Sequence, residues 1–259
     1  CFKFNKRYGS GSFCCLITEI YSGSEKRESI FWSSIYFAPR ESILHKSTTT
    51  IKKIIAIAKE KKIIIKEVDR KKLDELAEGS AHQGVVAIAS EYKYYELEDV
   101  LEDIKNKGEA PFFVILDEIE DPHNLGAIIR SAEGAGVHGV IIPKRRSATI
   151  TQVVEKASAG AVSYMPVIKV TNLALTIDKL KNEGLWIYGL DMDGAPYHNQ
   201  DMKGSVALII GNEGKGISRL LKEKCDYKVS IPMKGRVGSL NASVAASIVI
   251  YEALKQRGL

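Results

Sequence analysis

The sequence predicts an α/β protein in which a parallel β-sheet is covered by helices on both faces and is preceded by a smaller α/β unit. Beyond residue 110, short continuous apolar runs alternate with amphipathic stretches of helical length. This alternation is typical of a parallel sheet that is buried on both faces. Before residue 90, a helical pattern and short strand-like runs form a second unit, and an acidic stretch separates the two.

The composition excludes several classes of protein. Hydrophobic residues make up 45% of the 259 residues and charged residues 27%, which is close to the average for globular chains and unlike disordered or collagen-like ones. No apolar run approaches the roughly 18–20 residues of a membrane span, and no basic segment leads into an apolar core at the start, so we expect a cytoplasmic protein. The four cysteines and five histidines follow no metal-ligand spacing, so we expect free thiols and no metal.

The first part of the chain is predicted to form a small α/β unit. Ile51, Ile54, Ile55 and Ala58 recur with helical spacing behind a run of threonines that can act as caps. The other elements expected here are strands at 13–21, 30–37, 63–68 and 85–89 and a helix at 71–78. Residues 1–90 carry 16 basic and 10 acidic side chains, a balance that permits a polyanionic partner without requiring one.

Residues 91–109 form the best candidate for a boundary, because they carry seven acidic and only three basic side chains. Leu97, Val100, Leu101 and Ile104 give this stretch some helical periodicity, so we interpret it as an ordered connector. The predicted organisation is therefore a domain at 1–90, an acidic linker at 91–109 and a second domain at 110–259.

The second domain is predicted to alternate strands with helices. The strands are expected at 112–116, 140–142, 186–190, 206–210 and 229–231, and the helices at 125–135, 151–158, 172–183, 217–224 and 241–256. Residues 134–139 fit the G-x-G-x-x-G dinucleotide motif, but they follow a helix and precede a strand. A dinucleotide site needs the reverse order, so we interpret these glycines as a helix stop and a turn.

Three strand ends each carry polar residues just before a helix. Asn124 follows an acidic loop as the expected cap of the first helix, with Arg130 almost two turns inside it. Gly211, Asn212, Glu213 and Gly214 form a loop whose glycines allow close approach of a ligand. Ser239 and Asn241 precede the last helix, and either could serve as its cap. Each segment alone could be structural, but ligands of open parallel sheets bind at the edge where the strands end.

At these residues the sequence closely resembles the SpoU (TrmH-type) family of RNA ribose 2′-O-methyltransferases. The family motifs N-x-G-x-x-x-R, G-N-E-G and I-P-M-x-G…S-L-N-x-S-x-A stand at 124–130, 211–214 and 231–245. Residues 81–87 are similar to the end of the small RNA-binding domain of the RlmB-like branch, which methylates a guanosine ribose of large-subunit ribosomal RNA. Residues 12–17 depart from the helix pattern that follows the family's opening Tyr-Gly.

The resemblance implies a trefoil-knotted methyltransferase domain preceded by a small α/β RNA-binding domain, a homodimer, and S-adenosylmethionine as the methyl donor. It implies that backbone groups of Gly211, Ile231 and Leu240 hold the cofactor. The positions that the family uses for catalysis are Asn124, Arg130, Glu213, Ser239 and Asn241. The family assigns activation of the hydroxyl to the position of Arg130. A guanidinium resists deprotonation, so we expect it to bind phosphate and stabilise the developing alkoxide instead.

The resemblance leaves three alternatives open. A transfer-RNA ribose methyltransferase or an antibiotic-resistance ribosomal-RNA methylase would carry the same motifs. A more distant alternative is a non-catalytic RNA-binding assembly protein, although such a protein would be expected to lose Arg130, Glu213 or Asn241. The domain before residue 90 favours ribosomal RNA, because an additional domain that reads shape and loops helps to select a single structured site.

Overall fold

The computed structural model divides into two units, Cys1–Lys93 and Tyr94–Leu259, each with its own β-sheet. It describes residues 3–4, 32–38, 55–56, 58–60, 63–77, 84–89, 92–236 and 238–258. The predicted strand at 13–21 and the atypical residues 12–17 lie outside these ranges.

The first unit is a small mixed sheet with a helix packed on it. Its elements are β1 (Lys3–Phe4), β2 (Trp32–Phe37), β3 (Ile64–Glu67), α1 (Arg70–Ala77) and β4 (Val85–Ala89). The strand order is β1-β4-β2-β3, and only the β2–β4 pair is antiparallel. Leu73 and Ala77 of α1 are buried against Val86. Residues 55–56 and 58–60 are helical, so the described part of the helix predicted after Thr50 is confirmed.

The second unit contains a six-stranded sheet in the order β10-β8-β9-β5-β6-β7, and every neighbouring pair is parallel. Its elements in chain order are α2 (Leu97–Lys107), β5 (Phe112–Leu116), α3 (Pro122–Gly134), β6 (Gly139–Pro143), α4 (Gln152–Ala157), β7 (Val167–Val170), α5 (Leu173–Asn182), β8 (Trp186–Pro196), β9 (Val206–Ile210), α6 (Arg219–Lys224), β10 (Tyr227–Ser230) and α7 (Ala242–Gln256). Short 3₁₀ turns lie at Ala161–Ser163 and Tyr197–Asn199.

The continuous apolar runs form the centre of this sheet. Every residue of β5 and β9 is buried, as expected for strands covered on both faces. All five predicted strands of this region are present. The strand β7 was not predicted, because it is only four residues long and its second half is partly exposed. The predicted parallel α/β fold is thus confirmed, while the trefoil knot stays a prediction from the family resemblance.

Two local predictions can be compared with the structure. The prediction that Asn124 caps α3 is wrong. The helix begins earlier, at Pro122, and its cap is Asp121, whose carboxylate accepts a hydrogen bond from the His123 N–H at 2.9 Å. The sequence Asp-Pro suits the cap and the first helical position, so Asn124 lies inside the first turn. The interpretation of residues 134–139 as a helix stop is confirmed, because α3 ends at Gly134 and β6 begins at Gly139.

The parallel arrangement brings the carboxyl ends of all six strands to one edge of the sheet. The loops that follow β5, β9 and β10 therefore leave the sheet on the same side. Across the described ranges, no helix is both long and apolar enough to cross a membrane.

Candidate active site

Three polar side chains from distant parts of the sequence form one hydrogen-bonded chain. The Asn124 amide nitrogen donates to Oε1 of Glu213, and the Asn241 amide nitrogen donates to Oδ1 of Asn124 at 2.9 Å. Asn124 is buried, with 6% of its surface exposed. The structure thus brings together one residue from each of the three segments singled out in the sequence.

The cap of the last helix holds Asn241 in place. Its Oδ1 accepts hydrogen bonds from the backbone N–H groups of Ser243 at 2.9 Å and Val244 at 3.3 Å. Because the oxygen is used by the helix, the amide nitrogen is directed towards Asn124. The prediction that Asn241 could serve as a cap is confirmed, and the same residue contributes to the polar chain.

Close packing of α3 against its neighbours determines the position of Asn124. A Cβ atom on Gly126 would lie 2.5 Å from Cβ of Ala157 and 2.7 Å from the carbonyl oxygen of Val154. Only glycine therefore allows α3 to approach α4 this closely. On the side facing α7, the hydroxyls of Ser131 and Ser247 are hydrogen-bonded at 2.7 Å.

The glycine-rich loop after β9 is closed on itself. Backbone hydrogen bonds join Asn212 and Gly216 in both directions, at 3.2 and 2.8 Å, and the Asn212 side chain accepts one from the Gly214 N–H at 2.9 Å. A Cβ atom on Gly211 would lie 2.2 Å from the carbonyl carbon of Gly216. The tight loop therefore requires glycine at position 211, and its main chain is left accessible to a ligand.

This loop borders a cavity of about 420 Å³. The cavity lies among the segments that follow β9 and β10, the carboxyl half of β8 and the start of α7. The predicted site residues that line it are Gly211, Glu213, Ile231, Ser239 and Leu240. Its volume is within the range of small-molecule sites, and its wall combines apolar side chains with glycine backbone.

Asn124, Asn241 and Arg130 do not line the cavity. The two asparagines are connected to its wall by the hydrogen bonds that lead to Glu213. Arg130 lies on the exposed surface of α3, six residues beyond Asn124. Within the described ranges, its guanidinium makes no hydrogen bond or ion pair, which leaves it accessible to an anionic partner.

An ion pair in the same cavity was missed by sequence reasoning. Asp191 and Lys222 both line the cavity, and their carboxylate and ammonium are 2.6 Å apart. Burial by itself raises the pKa of Asp191, but the hydrogen bonds from Lys222 and from the N–H groups of Asp193 and Met192 outweigh it, so the pKa lies below its ordinary value. Asp191 follows the predicted strand 186–190 directly, so a polar residue stood at this strand end too, but no helix was predicted after it.

Two family descriptions match the chain. Residues 111–251 match the SpoU rRNA Methylase family, and residues 37–95 match the description "RNA 2'-O ribose methyltransferase substrate binding". The first match covers more than half of the chain and includes all eight predicted site residues. Among the residues that the structure describes, no group of three or more His, Cys, Asp or Glu side chains is arranged to hold a metal ion.

The curated relatives are similar over most of their length. The protein YacO of Bacillus subtilis, whose name places it in the TrmH family of tRNA/rRNA methyltransferases, is 50% identical over 205 residues, which is 79% of this chain and 82% of its own. A protein of Staphylococcus aureus strain MSSA476 named for the same family is 50% identical over 208 residues, 80% of this chain and 84% of its own.

Solved structures show the same fold. An AdoMet-bound rRNA methyltransferase of Sinorhizobium meliloti has a TM-score of 0.75 at 23% identity, over 95% of this chain and 86% of its own. The SpoU methyltransferase AviRb of Streptomyces viridochromogenes has a TM-score of 0.68 at 26% identity, over 89% of this chain and 84% of its own. The motifs, the fold and these likenesses agree: the chain belongs to the SpoU, or TrmH, family of RNA methyltransferases.

Proposed function

We propose that the protein transfers a methyl group from S-adenosylmethionine to the ribose 2′-hydroxyl of a guanosine in large-subunit ribosomal RNA, as in the RlmB-like branch of the family, and that it acts in the cytoplasm. The observation that carries the proposal is the cavity beside the chain of Asn124, Glu213 and Asn241. One wall of this cavity is a glycine loop suited to a cofactor, and a carboxylate lies at its border.

The residues of the cavity fit S-adenosylmethionine. When bound, this cofactor supplies an electrophilic methyl group on a positively charged sulfur. Backbone groups of Gly211, Ile231 and Leu240 would hold it, because these three residues line the cavity and a side chain at 211 would collide with Gly216. The carboxylate of Glu213 would favour the nearby positive charge, since opposite charges attract.

The polar chain is suited to positioning the reacting groups. Methyl transfer requires the attacking oxygen, the methyl carbon and the leaving sulfur to lie in line. We assign Asn124 and Asn241 the role of holding the Glu213 carboxylate in one orientation. Ser239 lies at the border of the cavity, where its hydroxyl can bind the incoming ribose.

Arg130 is assigned to the RNA. Its exposed guanidinium can bind a phosphate next to the target ribose and stabilise the negative charge that develops on the 2′-oxygen.

We also propose that the enzyme is a homodimer in which a second copy covers the exposed apolar side chains of α7. Val244 and Tyr251, which are 48% and 49% exposed, are seven residues apart and so share one face of this helix. Sedimentation at micromolar concentration tests the dimer, and a monomer would contradict it.

Ribosomal RNA is favoured over transfer RNA by the substrate-binding family match ahead of the methyltransferase domain. The alternatives are a transfer-RNA ribose methyltransferase and a ribosomal-RNA methylase that confers antibiotic resistance. An A. aeolicus structure described as a TrmH/SpoU tRNA modifying enzyme resembles 61% of this chain, with a TM-score of 0.54, whereas the rRNA methyltransferase of S. meliloti resembles 95%. This difference in coverage supports a ribosomal substrate for a two-domain chain.

Methyl transfer to separated RNAs tests the proposal. Purified protein, labelled S-adenosylmethionine and unmodified large-subunit, small-subunit or transfer RNA are incubated separately, and 2′-O-methylated positions are mapped. We expect one guanosine of large-subunit RNA to be labelled. Labelling of transfer RNA alone would refute the ribosomal assignment. Absence of S-adenosylmethionine binding by calorimetry would favour the non-catalytic RNA-binding alternative.

Replacement of Arg130 tests its role. Arg130→Ala is expected to lower turnover at least about 100-fold with nearly unchanged cofactor affinity, because the lost group acts on the transition state and on RNA. Arg219→Ala, which removes another exposed guanidinium that is 93% accessible, is the control. Near-normal turnover of Arg130→Ala would show that the assigned role is wrong.

A further inference from the structure

The loop that follows β6 presents three consecutive basic residues, Lys144, Arg145 and Arg146, all exposed. We call residues 144–146 the basic triplet. Because β6 is the neighbour of β5 in a parallel sheet, this loop emerges at the same edge as the loop that leads to Asn124. The triplet therefore lies on the side of the sheet where the proposed substrate must enter.

An ion pair between two residues with unusual backbone holds the triplet. Glu118 has a φ of 56° and Arg146 a φ of 54°, a left-handed conformation that residues other than glycine rarely adopt. Their side chains meet, with Nη1 of Arg146 2.9 Å from Oε1 of Glu118. Such conformations are strained and concentrate at functional sites. Two of them joined by one ion pair therefore suggest a constrained functional element.

Hydrogen bonds connect this element to the active-site cavity. The backbone carbonyl of Glu118 accepts a hydrogen bond from the side-chain amide of Asn212 at 3.0 Å, and Asn212 lines the cavity. The N–H of Ala148 donates to the carbonyl of Ile119 at 2.8 Å. The loop after β6, the loop after β5 and the glycine loop are thus held in a defined arrangement.

The charges of the triplet are available to a ligand. Arg146 is paired with Glu118, whereas Lys144 and Arg145 make no side-chain hydrogen bond or ion pair in the described part of the chain. At the start of the loop, the backbone N–H of Lys144 donates to the carbonyl of Val170 at 2.8 Å. Two unneutralised cations are thereby held on an ordered backbone, which suits the repeated negative charge of a phosphodiester chain.

We propose that Lys144 and Arg145 bind backbone phosphates of the RNA strand that carries the target ribose, and that the Glu118–Arg146 pair positions them. This inference rests on the proposed function, because it assigns the substrate's strand to this face of the same site. The expected ligand is RNA rather than an acidic polypeptide, since a ribose that enters the site brings its flanking phosphates with it.

The first experiment removes the two free charges. Lys144→Ala combined with Arg145→Ala is compared with Lys105→Ala combined with Lys107→Ala, which removes two exposed lysines of α2 at the opposite edge of the sheet. RNA binding is measured by fluorescence anisotropy over a range of salt concentrations, with a large-subunit RNA fragment and no cofactor. Loss of two phosphate contacts should reduce the magnitude of the slope of log affinity against log salt concentration by about 1.4 to 1.8. At 0.15 M salt, the lost counterion release alone should weaken binding at least about 14-fold.

The control pair is expected to change the slope by much less, although it alters net charge by the same amount. Cofactor affinity, measured by calorimetry, should be unchanged in both double variants. In methyl-transfer assays the triplet variant should raise the KM for RNA and leave kcat at saturating RNA nearly unchanged. Equal slopes for the triplet variant and wild type, or equal losses in the triplet and control variants, would overturn the proposal.

The second experiment tests the positioning pair. Glu118→Gln removes a negative charge and releases Arg146, so electrostatic attraction alone predicts tighter RNA binding. The positioning role predicts the opposite, a severalfold weaker affinity that disappears in the background of the double Lys144, Arg145 variant. Tighter binding, or an equal effect in both backgrounds, would overturn the positioning role.

A failure of this proposal can be distinguished from a failure of the proposed function. If wild-type protein methylates no RNA, the proposed function fails, whereas the anisotropy experiment still decides whether the triplet binds RNA. Competition with polyglutamate of matched charge provides the remaining comparison. Competition as strong as that of unlabelled RNA would show a general anion surface and overturn the assignment to RNA.

Discussion

Gly211→Ala tests whether the glycine loop requires its observed backbone path. A Cβ atom at this position would lie 2.2 Å from the carbonyl carbon of Gly216 and 2.2 Å from the nitrogen of Ile217. Both are backbone atoms, so they cannot move aside as a flexible side chain can. Ordinary contact between such atoms is about 3.5–4.0 Å, so the two sides of the loop must separate by more than about 1 Å.

The expected cost follows from the contacts that this separation breaks. Overpacking a tight site costs about 1–3 kcal/mol. The two backbone hydrogen bonds between Asn212 and Gly216 are strained as well, and each contributes about 0.5–1.5 kcal/mol. We therefore expect Gly211→Ala to lower the free energy of unfolding by about 2–4 kcal/mol. Affinity for S-adenosylmethionine should fall at least about tenfold, because the displaced loop borders the cavity.

Urea unfolding and calorimetry measure these two effects. Gly214→Ala in the same loop is the matched stability control, because its Cβ atom would meet only the Asn212 side-chain oxygen, at 3.5 Å. Its free energy of unfolding should stay within about 0.5 kcal/mol of wild type. If Gly211→Ala were as stable as Gly214→Ala and bound the cofactor normally, the close approach of Gly211 to Gly216 would not constrain the loop.

Two further predictions concern the cap of α7 and the free thiol of Cys225. Asn241→Ala should cost about 1 kcal/mol for the lost cap and more for Oδ1 of Asn124, which loses the hydrogen bond from Asn241, whereas Asn241→Ser should recover the cap. Equal stabilities of the two variants in urea would contradict this. Burial raises the pKa of Cys225 to about 11, so at pH 8 only about 0.1% is thiolate and iodoacetamide should react about two orders of magnitude more slowly than in the urea-unfolded chain. The rate should rise roughly tenfold per pH unit below pH 11. Peptide mass mapping follows this residue alone, and equal rates in the folded and unfolded chains would refute the effect of burial.

Most elements of the second unit could be predicted from the sequence because their signals are local. An apolar run of five residues such as 206–210 is typical of a strand buried on both faces, because it is too short for an ordinary buried helix. Asn241 precedes a long apolar helix in the manner of a cap. The same local logic failed at Asn124, where the neighbouring Asp121 and Pro122 made a better start to the helix. It also missed β7, because four residues with one half-exposed end carry too little periodicity.

The sequence by itself determined the alternation of strands and helices, the parallel sheet and the polar residues that follow its strands, since these depend on spacing along the chain. The tertiary structure alone decided the strand order β10-β8-β9-β5-β6-β7. It also decided that Asn124 is hydrogen-bonded to Glu213 and Asn241, and that Asp191 and Lys222 line the cavity. Hydrogen bonds between residues 89 and 117 positions apart depend on which strand ends become neighbours. Periodicity along one segment carries no information about that choice, because it describes each element and not its partners.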